Sequence, residues 1–317
     1  MRQLAESKAK TAQLVDAVYR AARDAASTLV IPPVPKPRPD PRRRDAEIAV
    51  AIASDWQLAK VTKSYNSKVC EERIERYAEK VLKLTDIQRA DHPVREARLW
   101  CLGDLIEGSD IFPGQPYLID ASLYRQVVVD GPRILGNLIR RLLSSFDRLT
   151  VTAVPGNHGR IGRKGDHDGE TNADRMLYRI TQQLFTTEPR VTWNIPEGKG
   201  ERGWYAVDVI GKYSCLLIHG DQFRTTAGMP WYSLQKKIGG WKMGALPFDF
   251  SEVAFGHYHQ PTRVTLNTVT ARCSGSTESH NDFAAEQLAA VGRPSQWLLF
   301  VLPSKGMVTA EYVVWLD

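Results

Sequence analysis

Two histidines one residue apart, His257 and His259 in GHYH, close the short apolar run SEVAF. Residues i and i+2 of a strand point to the same side, so both imidazoles can face one point beyond the strand end, a spacing suited to metal ligation. An H-x-H pair alone is common without a metal, so the rest of the chain must decide. Several other apolar runs also deliver polar residues at their C-terminal ends: Asp55 and Gln57 in SDWQ, Asp104 and Glu107 in GDLIEG, Asn157 and His158 in GNHGR, and His219 in HGDQ. Any one of these residues would serve as a helix cap or a turn residue. Their recurrence points instead to a shared site at the carboxyl edge of an α/β sheet, where ligands bind. Carboxylate and amide oxygens combined with imidazoles, and no thiolate, suit borderline to hard divalent ions such as manganese, magnesium, iron or zinc.

The elements that must position these residues are legible as hydrophobic patterns. EIAVAIASD (47–55), ARLWCLGD (97–104) and RLTVTAVPGNH (148–158) read as buried strands. Helical spacing separates them at 67–84 and at 121–146, the second with an interruption expected at Gly131-Pro132, and another helix is predicted over 172–185. From about residue 190 the chain changes to short strands: VTWN, GWYAVDVI, KYSCLLIHGD, SEVAFGHYH, TRVTLNTVTARCS, WLLFVLP and MVTAEYVVW. They predict a second sheet, much of it antiparallel, packed on the first. Before this body, residues 1–30 contain an amphipathic helix over 3–28, and residues 31–45 hold six prolines and five Lys or Arg, an extended basic arm or linker. Residues 46–317 then form one domain.

Composition sets the outer limits. In 317 residues, 43% hydrophobic and 25% charged is ordinary globular usage, enough for one large α/β domain. The excess of 42 Lys and Arg over 36 Asp and Glu, a net charge of +6, permits an anionic partner such as nucleic acid without requiring one. The basic arm reads equally as a phosphate contact or a solvated connector. Cys70, Cys101, Cys215 and Cys273 are widely spaced and read as reduced core thiols. The N-terminal stretch is charged throughout, unlike a signal peptide, and no run reaches the roughly 18 to 20 apolar residues of a membrane span. A cytoplasmic protein is expected, in the host cytoplasm if phage-encoded, with the N-terminal helix offering a homodimer contact.

Written out, the blocks are Asp55-Trp56-Gln57, Gly103-Asp104-Leu105-Ile106-Glu107, Gly156-Asn157-His158-Gly159, His219-Gly220-Asp221 and Gly256-His257-Tyr258-His259. In this order, over residues 48 to 260, the chain resembles the calcineurin-like metallophosphoesterase family, and looks most like phage and prophage phosphoesterases grouped with DNA-repair exonucleases. The resemblance implies a four-layer α/β/β/α sandwich of two mixed sheets and a two-metal site, with manganese the first choice of ion. It places Asp55, Gln57, Asp104 and His259 around one ion, and Asp104, Asn157, His219 and His257 around the other. His158 is then the general acid or an electrostatic stabiliser, and Glu107 a support behind the ligands; Arg160, two residues after His158, reads equally as a catalytic or phosphate-binding group or as a surface arginine in a loop.

Gln57 stands where the family has histidine, and Gly159 where it has an acid that orients the G-N-H histidine. Asp166, His167, Asp168 or Glu170 are candidates for that missing role, although a solvated loop is the default reading of their segment. His280, in SGSTESHNDF, is a candidate for the substrate cleft, although a loop histidine is its default reading. The implied activity is phosphoester hydrolysis by direct attack of a metal-bridging hydroxide. A DNA phosphodiesterase or nuclease is the first reading, a phosphomonoesterase or small-nucleotide phosphatase the alternative, and a non-catalytic scaffold the third. Trp231, Tyr232 and Trp241 read as core or lid residues, or as surfaces for stacking bases.

Overall fold

The computed structural model describes residues 13, 16, 17, 20, 21, 23, 24, 32–42, 45–162, 165–198, 203–224, 228–279 and 292–317. Alternation along the first strand shows how its layers arise. In β1 (Glu47–Ala53), Ala49, Ala51 and Ala53 face a helical layer, while Val50 and Ile52 face a second sheet. Both faces of the strand are therefore buried, which explains its unbroken apolar run.

Parallel to β1 run β2 (Val94–Cys101), β3 (Arg148–Ala153) and β4 (Val191–Asn194). Helices α1 (Ser67–Gln88), α2 (Gly131–Leu143) and α3 (Ala173–Leu184) cover this sheet. In α1 the buried stripe Cys70, Ile74, Tyr77, Ala78, Val81 and Thr85 keeps a helical period, and the Asn66 side chain caps the first turn by accepting from the Val69 N–H. The interruption expected at Gly131-Pro132 takes the form of a wide π-helical turn, Arg125–Asp130, joined to α2 at Gly131.

The second sheet has the order β5-β6-β7-β9-β8, from β5 (Tyr205–Ile210), β6 (Tyr213–Ile218), β7 (Glu252–Phe255), β8 (Thr262–Leu266) and β9 (Val269–Cys273). It is mixed: β6, β7 and β9 are parallel neighbours, and the two edges are antiparallel. Its outer face packs under α4 (Trp231–Gly240), completing a four-layer α/β/β/α sandwich of two mixed sheets.

Three strands expected in the second sheet belong to the first. VTWN is β4, and β10 (Ser295–Leu302) and β11 (Met307–Trp315) extend the first sheet beyond β1 in antiparallel fashion, giving the order β11-β10-β1-β2-β3-β4. Periodicity reports burial and not sheet membership, and all eight residues of β10 are buried because it lies between β1 and β11 with a layer on each face. Trp241 packs against Phe223 and Trp204 on the outer face, whereas Trp231 and Tyr232 are exposed.

Of the helix expected over residues 3–28, the seven residues described are helical and exposed. Residues 32–42 of the basic arm have no regular structure, yet they lie partly on the body. Val34 packs against the helical layer, its carbonyl accepts from Arg190 Nη2 at 3.0 Å, and Arg42 pairs with Asp40 at 2.8 Å. Among the described residues no helix is long and apolar enough to cross a membrane.

Polar ties join the two sheets. Trp100 on β2 donates to Asp208 on β5 at 2.7 Å. Arg272 on β9 lies between Glu252 at 2.6 Å and Glu311 of β11 at 2.8 Å, with its guanidinium 4.6 Å from the Trp297 ring centre. Arg272 is 1% exposed, so removing one counter-charge leaves a buried cation under-compensated. Glu252→Ala is expected to lower the unfolding free energy by about 3 kcal/mol or more, read from urea denaturation; an unchanged midpoint would show that Glu311 alone satisfies the arginine.

Candidate metal centre

The strand ends approach so closely that the backbone itself arranges the site. A Cβ on Gly156 would lie 2.1 Å from Asp104 Oδ1, and a Cβ on Gly256 would lie 2.1 Å from both Asp55 Oδ2 and Ser54 Oγ. Only glycine fits immediately before Asn157 and His257. Five of the predicted ligands occupy left-handed backbone: Asp55 (φ 52°), Gln57 (49°), Asp104 (51°), His257 (70°) and His259 (55°). Such conformations are uncommon for non-glycine residues, and they cluster where surrounding structure fixes side chains for function.

Short contacts link all seven predicted ligands into one cluster. On one side His219 Nε2 lies 3.0 Å from Asp104 Oδ2, 2.9 Å from Asn157 Oδ1 and 3.3 Å from His257 Nδ1. The other ring nitrogen of His219 donates to the Leu102 carbonyl at 2.8 Å, so in the neutral ring Nε2 is a lone pair facing further acceptors. On the other side Gln57 Nε2 lies 3.5 Å from Asp104 Oδ2, and His259 Nε2 lies 3.2 Å from Asp55 Oδ1. The Gln57 carbonyl oxygen is buried without a hydrogen-bond partner. Asp104, His219 and His257 each offer a ligand atom within 4.8 Å of the others.

This donor set fits divalent cations. It is rich in lone pairs, has an orphaned buried amide oxygen, and contains oxygen and imidazole nitrogen without sulfur. Asp104, His219 and His257, with Asn157 Oδ1 beside His219, are the residues whose geometry could hold a divalent ion.

Without a metal the cluster must find positive charge in protons. Burial alone would lower the pKa of His219, but the Asp104 carboxylate outweighs it and raises the group to about 10. His259 behaves likewise, with Glu278 and Asp55 raising it to about 10 against its burial. In His158 the opposition of burial by Asp104 and Glu107 leaves a value of about 9. His257 goes the other way, to about 4, because burial and the neighbouring His219 both disfavour its cation. Asp104 is held below the usual carboxylate range, burial being overcome by His219 and His158.

Glu107, not the 166–170 segment, orients His158. His158 Nδ1 lies 2.9 Å from the Glu107 carbonyl and 3.4 Å from its Oε2, and Glu107 is itself held by Gln115 at 3.0 Å. The acid expected after Asn157-His158 has no room, since a Cβ on Gly159 would lie 2.5 Å from Asn172 Oδ1. Asp168 instead accepts from the Glu170 and Thr171 N–H groups at 3.2 Å, and Glu170 accepts from Gly198 N–H at 3.2 Å. Arg160 is half-buried and makes no ion pair among the described residues. His280 lies outside the described residues.

Two further carboxylates escaped the sequence reading. Asp174, fully buried in the first turn of α3, accepts from the N–H groups of Asp104, Leu105 and Gly156. Glu278 accepts from His259 Nδ1 at 2.8 Å and pairs with Lys60. Neither belongs to a recognisable block, although Glu278 lies within the same late segment as His280.

No family model and no curated protein matches the chain. Among solved structures it is similar to a predicted phosphoesterase of Streptococcus pneumoniae, at 13% identity and TM-score 0.36, over 84% of this chain and 98% of that one. It is similar to zinc-bound Vps29 of Entamoeba histolytica at 14% and 0.38, over 85% and 99% of the two chains. A hypothetical protein of Pyrococcus horikoshii matches at 12% and 0.41, over 85% and 89%. Likeness at this level carries no weight for activity, and the functional reading rests on the site's own residues.

The raised histidines fix the sign of a pH effect. His158, His219 and His259 hold protons in the folded metal-free protein up to about pH 9 to 10, whereas unfolded histidine releases them near 6.5. Their stabilisation is complete below pH 6.5 and lost as pH rises through 9 to 10. A divalent ion competes with those protons, so its binding strengthens over the same interval. The rise in melting temperature on adding manganese to chelator-treated protein is therefore expected to grow steadily from pH 6.5 to 9; a pH-independent rise would contradict this charge balance.

Proposed function

We propose that the chain is a divalent-metal-dependent phosphoester hydrolase of the metallophosphoesterase type. One observation carries this reading: Asp104 Oδ2, Asn157 Oδ1 and His257 Nδ1 converge on His219 Nε2, whose own ring N–H is already donated to Leu102. With one ring N–H already donated, this point calls for positive charge, supplied by a proton on His219 in the metal-free protein and replaceable by a divalent ion. Divalent ions held there, two in this reading and manganese the first choice, supply Lewis-acid charge for phosphoryl oxygens and lower the pKa of water.

The chain's own residues supply the rest. His158 gives Nδ1–H to Glu107, and its 18%-exposed side chain leaves Nε2 to carry a proton to the departing oxygen. Arg160, two residues later and free of an ion pair among the described residues, offers a planar fork to a phosphate.

Within this class the reading extends to phosphodiesters of DNA. The net charge of +6 favours a polyanion. The loop leaving Glu107 also presents Tyr117, 92% exposed, and the part-exposed Phe112, aromatic surfaces on which bases can stack.

Metal-stripped protein given manganese is expected to cleave bis(p-nitrophenyl) phosphate faster than p-nitrophenyl phosphate. His158→Ala should lower kcat by about 10²-fold or more, and Asp104→Ala should abolish the metal-dependent rate. Faster monoester cleavage would move the substrate to nucleotides or phosphoproteins, and no turnover with manganese, magnesium, iron or zinc would remove the enzymatic reading altogether.

A further inference from the structure

Resting on that metal-centre reading, we infer that Glu278 and Lys60 together set the strength of one ion site, the one formed by Asp55, Gln57, Asp104 and His259. Glu278 is a positioning residue that acts through His259, and Lys60 opposes it.

The geometry places Glu278 behind the ligand. His259 donates Nδ1–H to Glu278 Oε1 at 2.8 Å, which leaves the Nε2 lone pair on the side of Asp55 Oδ1, 3.2 Å away. A carboxylate behind an imidazole fixes its tautomer and makes the opposite nitrogen a stronger donor. That matters here because Gln57 contributes a neutral amide oxygen to the same ion, a weaker donor than imidazole. The charge behind His259 compensates for the weak donor beside it.

Lys60 limits the compensation. Its ammonium pairs with the other Glu278 oxygen, and both side chains are shielded, 16% exposed for Lys60 and 4% for Glu278. Lys60 sits in the turn that carries Gln57, its N–H donating to the Gln57 carbonyl at 3.0 Å. The same short turn therefore provides the weak ligand and the cation that tempers its neighbour.

The placement of Glu278 is built in and not incidental. Its N–H donates to Ser276 Oγ at 2.9 Å, and Ser276 Oγ donates to the Asp55 carbonyl at 2.6 Å. Arg73 holds the Thr277 carbonyl at 2.6 Å, and Thr62 holds that of Ser279 at 2.7 Å. Residues 276–279 are thus tied both to the ligand strand and to α1.

Calorimetric titration of the full chain with manganese tests this directly, the relevant binding event being identified as the one that Gln57→Ala weakens. Glu278→Gln keeps an oxygen for His259 Nδ1–H but removes the charge, and is expected to weaken that event by about 10 to 100-fold. Lys60→Met removes the opposing cation and is expected to tighten the same event several-fold. The double variant Lys60→Met/Glu278→Gln, which removes both members of the Lys60–Glu278 pair, should fall between the two, and the other ion should bind as in the unsubstituted protein throughout.

Opposite shifts from the two single variants cannot come from general misfolding. Weakening by both, or no shift in either, would overturn the inference while leaving the metal centre in place. Failure of the unsubstituted protein to bind any manganese would instead overturn the metal-centre reading, and this inference with it.

Discussion

Three backbone N–H groups converging on one buried carboxylate hold the site in its shape. Asp174 receives Asp104 and Leu105 from the loop after β2, and Gly156 from the loop after β3. These loops carry Asp104, Asn157 and His158, so the separation of these three candidate site residues is fixed from beneath by Asp174. Its position in the first turn of α3 adds the favourable end of the helix dipole to the three hydrogen bonds. Burial, joined by the nearby Asp104 charge, still raises its pKa to about 6. The carboxylate is thus retained against an electrostatic penalty, as expected where loop geometry matters more than local stability.

The same constraint explains which parts of the site were legible in the sequence. The blocks GD, GNH and GHYH stand out because each glycine occupies a backbone contact that excludes a Cβ and each follows an apolar run. Those are local facts. Glu107 was visible as part of its block, but its service to His158 was not, because it depends on Gly159 having no space for a side chain against Asn172. Glu278 was invisible for a related reason: its meaning comes from Lys60, more than two hundred positions away in the chain, and from His259 across a turn.

The fold divides in the same way. The strand–helix alternation up to β3 and a second set of short strands were legible from periodicity and run length, whereas the four-layer arrangement was implied only by the family resemblance. The return of β10 and β11 to the first sheet was not, since an apolar run can be buried equally well in either sheet. Gln296 makes that return part of the site: it donates to the Ser54 and Gly275 carbonyls and accepts from the Ser54 N–H, so β10 is tied to the residue preceding Asp55. The last strands of the chain thereby support the first ligand.

Burial separates the site into two banks with different tasks. Asp55, Gln57, Asp104 and His219 are at most 1% exposed, whereas Asn157, His158, Arg160, His257 and His259 are partly open to solvent. Charge held by the first group is screened little by salt. The second group is more open, and it combines three candidate ligands with His158 and Arg160. On the proposed reading a phosphate ester would meet the more open residues first, where Glu107 holds the His158 ring at 2.9 Å and Arg160 has no ion pair among the described residues.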